Sequence, residues 1–408
     1  MIKILSLKDA SGLITRKAVR LDEAERIVAP ILADVRKRGD AALLEYARKF
    51  DGFNGSSVRV PVEGSLTPEM ETAVSASAEN IREYAYTQIP VEGVVEYADG
   101  RRLGEIIRSL DSMGAYIPAG RYPLPSTLLM TVIPAQVAGV ETTCVACPNP
   151  SSEIMGIAKW LGVTHLFQMG GAQAIAALAF GTETVPRVDR IVGPGNIYVA
   201  AAKKLIAGEV GIDFVAGPTE IVIIAAEGNP KWIAADLLAQ AEHDVDASAI
   251  LLTTSRALAE AVAQEVDRQL AILPTAAVAR PSIENNGAIV IVDKLEQAVE
   301  FSNRLAPEHL SLHDPTLLAG IKHAGAVFLG SSSPEAAGDY ASGPNHVLPT
   351  SGAARLRGGL SAADFVKVIS TQELPLPTLL ELKPAITTLA RAEGLEAHAR
   401  SVEARFDD

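Results

Sequence analysis

The sequence predicts an α/β fold with two Rossmann-like parallel-sheet domains and a C-terminal helical segment. Three observations favour this class. The chain has 408 residues, which is long for one compact domain, and 48% of them are apolar, enough for a large core. Strand-length apolar segments alternate with helical segments over 142–329, as in right-handed βαβ units. Residues 358–408 lose this alternation, which marks them as a separate segment.

The region before the alternation is predicted to be mainly helical. Over 21–50, apolar residues such as Ile27 and Ile31 recur at helical spacing with charges between them, so we expect one helical stretch. A second helix is predicted over 68–87. From 113 to 126, glycine and proline are too frequent for regular structure. We therefore expect a loop there, of the kind that carries binding groups.

The alternating region divides into two βα series. The predicted strands cover 142–146, 163–169, 190–193, 220–226, 249–253, 287–292 and 326–329. The predicted helices cover 154–161, 171–180, 196–206, 234–243, 258–273 and 295–303. The resulting division is a discontinuous first domain of 1–112 and 220–357, a second domain of 113–219, and the segment 358–408, helical from residue 379. That last segment is too short to fold alone, so we expect it to dock on another domain or another subunit.

Composition and charge exclude several classes of protein. The net charge of −13, with no run of clustered basic residues, argues against nucleic-acid binding. Charged and apolar residues alternate over Met1–Lys8, unlike a signal peptide, and no apolar run reaches membrane-spanning length, so a cytoplasmic protein is predicted. Cys144 and Cys147 fit neither a redox dithiol nor a zinc ribbon. We interpret them as buried cysteines at the end of a strand.

Two glycine turns each connect a predicted strand to a predicted helix, at 168–173 and at 192–196. Such turns expose backbone N–H groups where the helix dipole favours phosphate. Neither turn has the usual dinucleotide-binding spacing, and a simple tight connection is the alternative. The amide side chains of Gln173 and Asn196, one at each turn, could contact a nicotinamide or a ribose.

The seven histidines differ in their surroundings. Three have no acidic or glycine-rich neighbourhood and are predicted to be structural: His165, His313 and His323. Four lie beside polar or glycine-rich segments: His243, His309, His346 and His398. Two imidazoles and one carboxylate together suit zinc. The alternative for each histidine is a helix-end interaction with the dipole.

Two of these histidines have a neighbour of chemical interest. Gln240 and His243 are three residues apart and therefore share a helix face. Glu308 and His309 are adjacent in a predicted turn, where a carboxylate and an imidazole can move a proton between substrate and water. A surface dipeptide is the alternative for this second pair.

Taken in order, eight segments resemble the signature blocks of the histidinol dehydrogenase family, and they span most of the chain. They are 114–130, 170–181, 193–199, 216–220, 240–243, 306–309, 338–350 and 393–398. The series is highly specific, although no single block is.

The resemblance implies a role for each matching residue. The implied zinc ligands are Gln240, His243, Asp339 and His398, the last supplied by the partner subunit of a domain-swapped homodimer. The implied NAD contacts are Tyr116, Gln173 and Asn196, in the domain of 113–219. The implied catalytic pair is Glu308 and His309. The implied substrate contacts are Thr219, His346 and Glu393, together with His309 and the four zinc ligands.

The implied activity is that of a four-electron alcohol dehydrogenase of histidine biosynthesis. It would oxidise L-histidinol through L-histidinal to L-histidine with two NAD, with zinc positioning the substrate. The loop 118–125 departs from the family pattern, with Ala119 in place of a frequent glycine and a bulky Arg121-Tyr122. A related dehydrogenase of another small polar alcohol, such as a sulfonated diol, is therefore an alternative. A zinc hydrolase using Glu308 and a non-catalytic binding protein are two further hypotheses.

Overall fold

The computed structural model describes residues 2–14, 21–118, 124–215 and 217–407. The chain forms two compact units, one of Met1–Gln88 with Leu110–Phe365 and one of Ile89–Ser109 with Val366–Asp408. Parallel sheets with helices on their faces confirm the predicted α/β class. The departing loop residues Ala119, Arg121 and Tyr122 lie outside the described residues. No helix in the described ranges is long and apolar enough to span a membrane.

The elements are numbered in chain order. The strands are β1 (Lys3–Ser6), β2 (Arg59–Val60), β3 (Gly93–Glu96), β4 (Arg102–Ser109), β5 (Ser112–Tyr116), β6 (Thr142–Ala146), β7 (His165–Phe167), β8 (Arg190–Val192), β9 (Gly211–Ile212), β10 (Glu220–Ile224), β11 (Ser248–Thr253), β12 (Ala288–Ile291), β13 (His309–Leu312), β14 (Ala326–Leu329) and β15 (Val366–Glu373). The helices are α1 (Ser11–Ile14), α2 (Leu21–Arg38), α3 (Asp40–Phe50), α4 (Pro68–Tyr86), α5 (Pro125–Val137), α6 (Ser152–Trp160), α7 (Gly171–Phe180), α8 (Ile197–Ile206), α9 (Pro230–Ala241), α10 (Arg256–Leu270), α11 (Ala276–Asn286), α12 (Leu295–Leu305), α13 (Glu335–Tyr340), α14 (Leu376–Ala392) and α15 (Glu396–Glu403). Short 3-10 turns cover Pro315–Gly320, Ala353–Arg355 and Ala362–Phe365.

The first sheet has the order β1-β12-β11-β10-β13-β14, and all its strands are parallel. The central strand β10 is buried along its whole length, as expected for a parallel strand with both faces covered. Ile221 and Ile223 pack on one face in a core shared with α9, α10 and α11. Val222 and Ile224 pack on the other face with α12. This alternation follows from the two-residue period of a strand.

The second sheet has the order β2-β7-β6-β5-β8-β9, with only the edge strand β2 antiparallel among its described pairs. One face carries a core that includes residues of α2, α3, α7 and α8, and the other a core that includes residues of α4, α5 and α6. Helix α5 is apolar on nearly every side, and it is buried accordingly. Cys144 in β6 and the following Cys147 are both buried, which confirms the interpretation of the thiols.

Several predicted elements differ from the structure. The loop expected over 113–126 was wrong at both ends, since its first residues form strand β5 and helix α5 begins at Pro125. Gly114 fits this buried strand because a side chain there would crowd Leu178. The single helix expected over 21–50 is divided into α2 and α3 at Gly39, whose φ is +57°. A side chain there would also collide with the carboxylate of Glu183, which accepts a hydrogen bond from the Asp40 N–H at 2.8 Å. The C-terminal segment is helical from Leu376 rather than residue 379, and β15 precedes its helices.

The second unit is built on a small antiparallel sheet of order β15-β4-β3. Strand β15 pairs with β4 along all eight of its residues. Most of β15 is exposed in the chain, so its sequence lacks the alternation of apolar and polar residues that would have predicted a strand. The predicted domain boundaries remain a prediction.

Candidate active site

The Glu308-His309 pair lies at the amino end of the first sheet. His309 is the first residue of β13 and stands in register with Ile221 of β10. The prediction of a turn was therefore wrong at His309. Glu308 is 6% exposed and His309 is 4% exposed, so the alternative of a surface dipeptide is wrong as well. A four-residue strand that begins with a histidine directly after a glutamate lacks the apolar pattern by which buried strands are recognised.

A chain of hydrogen bonds joins Gln240 to Glu308 through Thr219. The Gln240 Nε2 donates to the Thr219 hydroxyl at 2.5 Å, and that hydroxyl donates to Glu308 Oε2. The Glu220 N–H donates to the same carboxylate oxygen at 2.9 Å. Because the amide nitrogen of Gln240 faces Thr219, its Oε1 is the atom left over, buried and without a hydrogen bond. These hydrogen bonds thus fix the position of the Glu308 carboxylate and the orientation of the Gln240 amide.

The imidazole of His309 is held at one nitrogen and free at the other. Nδ1 lies 3.3 Å from the Glu220 carbonyl oxygen, an acceptor, so Nδ1 carries the proton in this contact. Nε2 is buried without a hydrogen bond, 3.6 Å from Asp339 Oδ1. Burial lowers the pKa of His309, but the carboxylates of Glu308, Asp339 and Glu335 outweigh it and raise the pKa to about 9. Burial raises the pKa of Glu308, and the charge of His309 opposes that rise.

Asp339 and His346 complete this part of the site. Burial acts to raise the pKa of Asp339, but His309 together with the charges of His346 and His243 outweighs it and lowers the pKa. His346 Nδ1 lies 2.8 Å from the Asp339 carbonyl oxygen, and its Nε2 lies 3.2 Å from the hydroxyl of Thr127 on α5. Both ring nitrogens of His346 therefore have protein partners, and they tie the Asp339 backbone to a helix of the second sheet.

Two acids of this cluster, the buried Glu335 and the half-buried Asp236, were missed by the sequence reasoning. Glu335 is 3% exposed, neither of its oxygens has a hydrogen bond, and burial raises its pKa well above the ordinary value. Burial also raises the pKa of Asp236 to about 6. Each precedes a predicted ligand by four residues, Asp236 before Gln240 on α9 and Glu335 before Asp339 on α13. That helical spacing was the available signal.

The predicted NAD contacts lie at the carboxyl end of the second sheet, whereas the Glu308-His309 pair lies at the amino end of the first. Tyr116 ends β5, and its hydroxyl accepts from the Gly171 N–H at 3.1 Å. Asp51, just after α3, accepts from the Gly170 N–H and from Gln173 Nε2, both at 3.0 Å and both through Oδ2. Burial raises the pKa of Asp51, against the effect of these two hydrogen bonds. No sequence motif pointed to Asp51, because only the fold brings it to the turn.

The second glycine turn is stabilised by an ion pair and by a helix cap. Lys203 Nζ donates to Asp213 Oδ1 and to the Gly193 carbonyl oxygen, both at 2.6 Å, while Asp213 Oδ2 accepts from the Gly193 N–H at 2.8 Å. The two side chains are 3% and 1% exposed. Gly193 has a φ of +109°, and a Cβ there would lie 2.2 Å from the Tyr116 carbonyl oxygen. The Asn196 Oδ1 caps α8 by accepting from the N–H groups of residues 198 and 199 at 3.0 and 3.1 Å.

The predicted metal ligands can be compared with the chemistry of a zinc site. Within the described ranges, no three His, Cys, Asp or Glu side chains form a group that could hold a metal ion. Gln240, His243 and Asp339 supply one amide oxygen, one imidazole and one carboxylate, and the unpartnered Gln240 Oε1 is suited to a ligand role. His243, just beyond α9, is exposed and interacts electrostatically with Glu308 and Asp339.

The last two predicted site residues belong to the second unit. Glu393 is the C-cap residue of α14, and His398 lies in α15. Both side chains are exposed in the chain.

Comparisons with known proteins identify the family of the chain. The family model described as histidinol dehydrogenase matches residues 14–406. A histidinol dehydrogenase from Halalkalibacterium halodurans is 47% identical over 100% of both chains, and one from Geobacillus kaustophilus is 48% identical over 95% of both. The crystal structure of histidinol dehydrogenase from Elizabethkingia anophelis matches with a TM-score of 0.94 and 36% identity, over 99% of this chain and 98% of that one.

The chain therefore belongs to the histidinol dehydrogenase family, and the resemblance found in the sequence is confirmed. It is accordingly an NAD-dependent oxidoreductase. The alternative of a sulfonated-diol dehydrogenase has no support, since these relatives all carry the name histidinol dehydrogenase.

Proposed function

We propose that this chain oxidises L-histidinol through L-histidinal to L-histidine, reducing two NAD in the process, as an enzyme of histidine biosynthesis in the cytoplasm. The observation that carries the proposal is the hydrogen-bonded chain from Gln240 through Thr219 to Glu308, which stands beside the free Nε2 of His309. It supports a site where Gln240 Oε1, the Glu308 carboxylate and the His309 imidazole act on one small molecule.

In the first oxidation, His309 in its neutral form accepts the proton of the substrate hydroxyl at Nε2. Because the neighbouring carboxylates raise the pKa of His309 to about 9, this step should become faster as the pH rises toward that value. The Glu220 carbonyl oxygen holds Nδ1–H, so the tautomer with a basic Nε2 is favoured. The imidazolium that forms is stabilised by Glu308, 3.7 Å from Nδ1, and by Asp339, 3.6 Å from Nε2. General-base assistance of this kind accelerates a reaction by about 10²–10⁴-fold.

In the second oxidation, Glu308 accepts a proton from the water that adds to the aldehyde. Its Oε2 is already held by Thr219 and the Glu220 N–H, so the carboxylate is fixed in place and Oε1 remains for the water. A fixed carboxylate needs little reorganisation during the reaction. This division of work gives His309 the hydroxyl proton and Glu308 the water proton.

A zinc ion would be held by Gln240, His243 and Asp339 of one subunit and by His398 of the partner subunit. Bound zinc supplies a Lewis acid that holds the imidazole and amino nitrogens of the substrate and so orients its alcohol. The unpartnered Gln240 Oε1 and the interaction of His243 with Asp339 support this set. Thr219, His346 and Glu393 are the proposed further substrate contacts.

The proposed NAD contacts are Tyr116, Gln173 and Asn196, in the domain of residues 113–219. We further propose a domain-swapped homodimer, because the small second unit exposes many apolar side chains. Those more than one third exposed are Val91, Val94, Val95, Tyr97, Val368, Ile369, Leu376, Leu380, Leu389 and Leu395. An exposed apolar surface of this extent is typical of an interface.

A substrate panel tests the proposal. The purified protein is supplied with zinc and NAD, and then with L-histidinol, L-histidinal or a sulfonated diol, while NADH formation is followed by the absorbance of the reduced nicotinamide. We expect both histidine precursors to be oxidised and the diol to be inert. Oxidation of the diol alone, or hydrolytic activity without NAD, would contradict the proposal.

A further inference from the structure

The two glycine N–H groups at the first glycine turn of the proposed NAD site are already paired. The Gly170 N–H donates to Asp51, and the Gly171 N–H donates to the Tyr116 hydroxyl. Both belong to the set of N–H groups that bind a phosphate at the start of a helix in a phosphate-binding turn. A carboxylate already occupies that position, so a second anion would be repelled.

The atoms that remain at this turn are mostly hydrogen-bond acceptors. Asp51 uses only Oδ2 for the turn, and its Oδ1 makes no hydrogen bond among the described residues. Gln173 directs its Nε2 to Asp51, so its Oε1 faces away from the carboxylate. The hydroxyl of Tyr116 accepts from Gly171 and keeps its own proton to donate. This set matches the hydroxyl and amino groups of a nucleoside and does not match a phosphate.

The basic residues nearest in sequence are directed elsewhere. Arg48 and Lys49 precede Asp51 in the last turn of α3. Arg48 Nη2 donates to the Gly55 carbonyl oxygen at 3.4 Å, and Lys49 Nζ lies 5.0 Å from the centre of the Phe50 ring. The charge presented at the turn by these described side chains is therefore that of the Asp51 carboxylate.

We propose that Asp51 determines the preference of this enzyme for NAD over NADP. Its Oδ1 accepts a hydrogen bond from the ribose hydroxyl that carries the extra phosphate in NADP, and its charge repels that phosphate. An acidic residue that holds a ribose 2′-hydroxyl is a general means of selecting NAD. The inference rests on the proposed function, because it requires the dinucleotide to lie at Tyr116 and Gln173.

The test compares Asp51→Asn and Asp51→Glu with the wild-type enzyme. Asparagine can still accept from Gly170 and Gln173, but it lacks the charge and offers a donor toward the ligand. Glutamate keeps the charge. Equilibrium binding of NADH and NADPH is measured by the fluorescence of the reduced nicotinamide, and kcat/KM is measured with both oxidised cofactors.

In the wild type we expect NADH to bind at least about tenfold more tightly than NADPH. In Asp51→Asn this ratio should fall by about tenfold or more, mostly through tighter NADPH binding, whereas Asp51→Glu should still exclude NADPH. Asp40→Asn, at the other end of α3, is the matched control, because its carboxylate bonds to Thr184 away from the turn. This control should leave the ratio unchanged.

Two results would overturn the inference. The first is equal binding of NADH and NADPH by the wild type. The second is an equal loss of affinity for both cofactors in Asp51→Asn and Asp51→Glu, which would mean that the Asp51 carboxylate only supports the fold. Binding is measured without histidinol, so failure of the proposed reaction would appear separately, as absent turnover with intact NADH binding. A thermal melt of each variant verifies that the fold is intact.

Discussion

The two six-stranded sheets carry their functional groups at opposite ends and in opposite states. At the amino end of the first sheet, Gln240 Oε1, His309 Nε2 and both oxygens of Glu335 are buried without hydrogen bonds. At the carboxyl end of the second sheet, the N–H groups of Gly170, Gly171 and Gly193 are all paired within the chain. The amino end of the first sheet therefore has buried polar atoms that a ligand could bind. The glycine N–H groups at the carboxyl end of the second sheet are already fixed by hydrogen bonds within the protein.

The energetic meaning of this difference is direct. A buried polar group without a partner costs about 1–3 kcal/mol, so such atoms are kept only where something else compensates them. The second sheet follows the general rule that ligands lie at the carboxyl ends of parallel strands. The first sheet departs from it, because α9 runs back along the sheet after β10 and returns Gln240 to the amino end of the strands.

The largest expected effect comes from removing the charge at the unsatisfied end. Glu308→Gln should lower kcat for L-histidinol by about 10²–10⁴-fold, because a glutamine cannot accept the water proton. Its amide oxygen can still accept from Thr219 and from the Glu220 N–H, so the fold should be retained. Steady-state kinetics measure the effect, with Glu300→Gln on the exposed side of α12 as the control. Wild-type turnover in Glu308→Gln would remove Glu308 from the mechanism.

The next effect concerns the rigid end and is one of stability. Lys203→Met leaves the buried carboxylate of Asp213 unpaired, which should cost about 3–5 kcal/mol and lower the Tm of this part of the chain by roughly 10 °C. Calorimetry of the variant provides the measurement. Lys204→Met is the matched control, because its ion pair with Glu25 is half-exposed and should matter little. Equal Tm changes in both variants would contradict the role of the buried pair.

A smaller effect is expected at the proposed metal ligands. Gln240→Met removes the unpartnered oxygen and should weaken zinc binding by about tenfold or more. The readout is zinc retained after dialysis against a chelator of known affinity, measured by elemental analysis and therefore independent of turnover. Gln269→Met on α10 is the control, since that amide only bonds to Lys231 and Glu265. Unchanged zinc retention in Gln240→Met would exclude Gln240 as a ligand.

The smallest effect is expected in the core of the second sheet. Burial raises the pKa of Cys144 to about 12 and that of Cys147 to about 11, so neither thiol is a nucleophile at neutral pH. A double Cys144→Ala, Cys147→Ala variant should keep kcat within about twofold, and iodoacetamide should not inactivate the native enzyme. Rapid inactivation that the double variant escapes would show a thiol that this account leaves out.

The sequence predicted the elements with long apolar runs well. The bounds of α7, β6 and β14 agree with the prediction residue for residue, because each is a mostly apolar segment next to glycine, proline or charged residues. Helix α11 contains a proline, β13 has only four residues and begins with a histidine, and β15 is mostly exposed, so none of the three was predicted as such. Interior strands β5 and β13 were missed while edge strand β14 was predicted, so success followed the local pattern rather than the position of a strand in its sheet.

The site was only partly predictable for a related reason. Local spacing suggested that Gln240 and His243 share a helix face, but α9 ends at Ala241 and His243 lies just beyond it, so that prediction was wrong at His243. Asp51 and Asp213 reach the glycine turns only through the fold, from positions that no motif marks. Thr219 entered through the family resemblance, and its role as the link between Gln240 and Glu308 became visible only in three dimensions.

The most direct test of the account is the stoichiometry of NADH formed per L-histidinol by the zinc-loaded protein, repeated after chelation. A fixed, limiting amount of L-histidinol is consumed to completion with excess NAD. We expect two NADH for each L-histidinol, with turnover lost on chelation and restored by added zinc. A reaction that stops at one NADH, or that yields two NADH unaffected by chelation, would contradict the proposed roles of Glu308 and of the ligand set around Gln240.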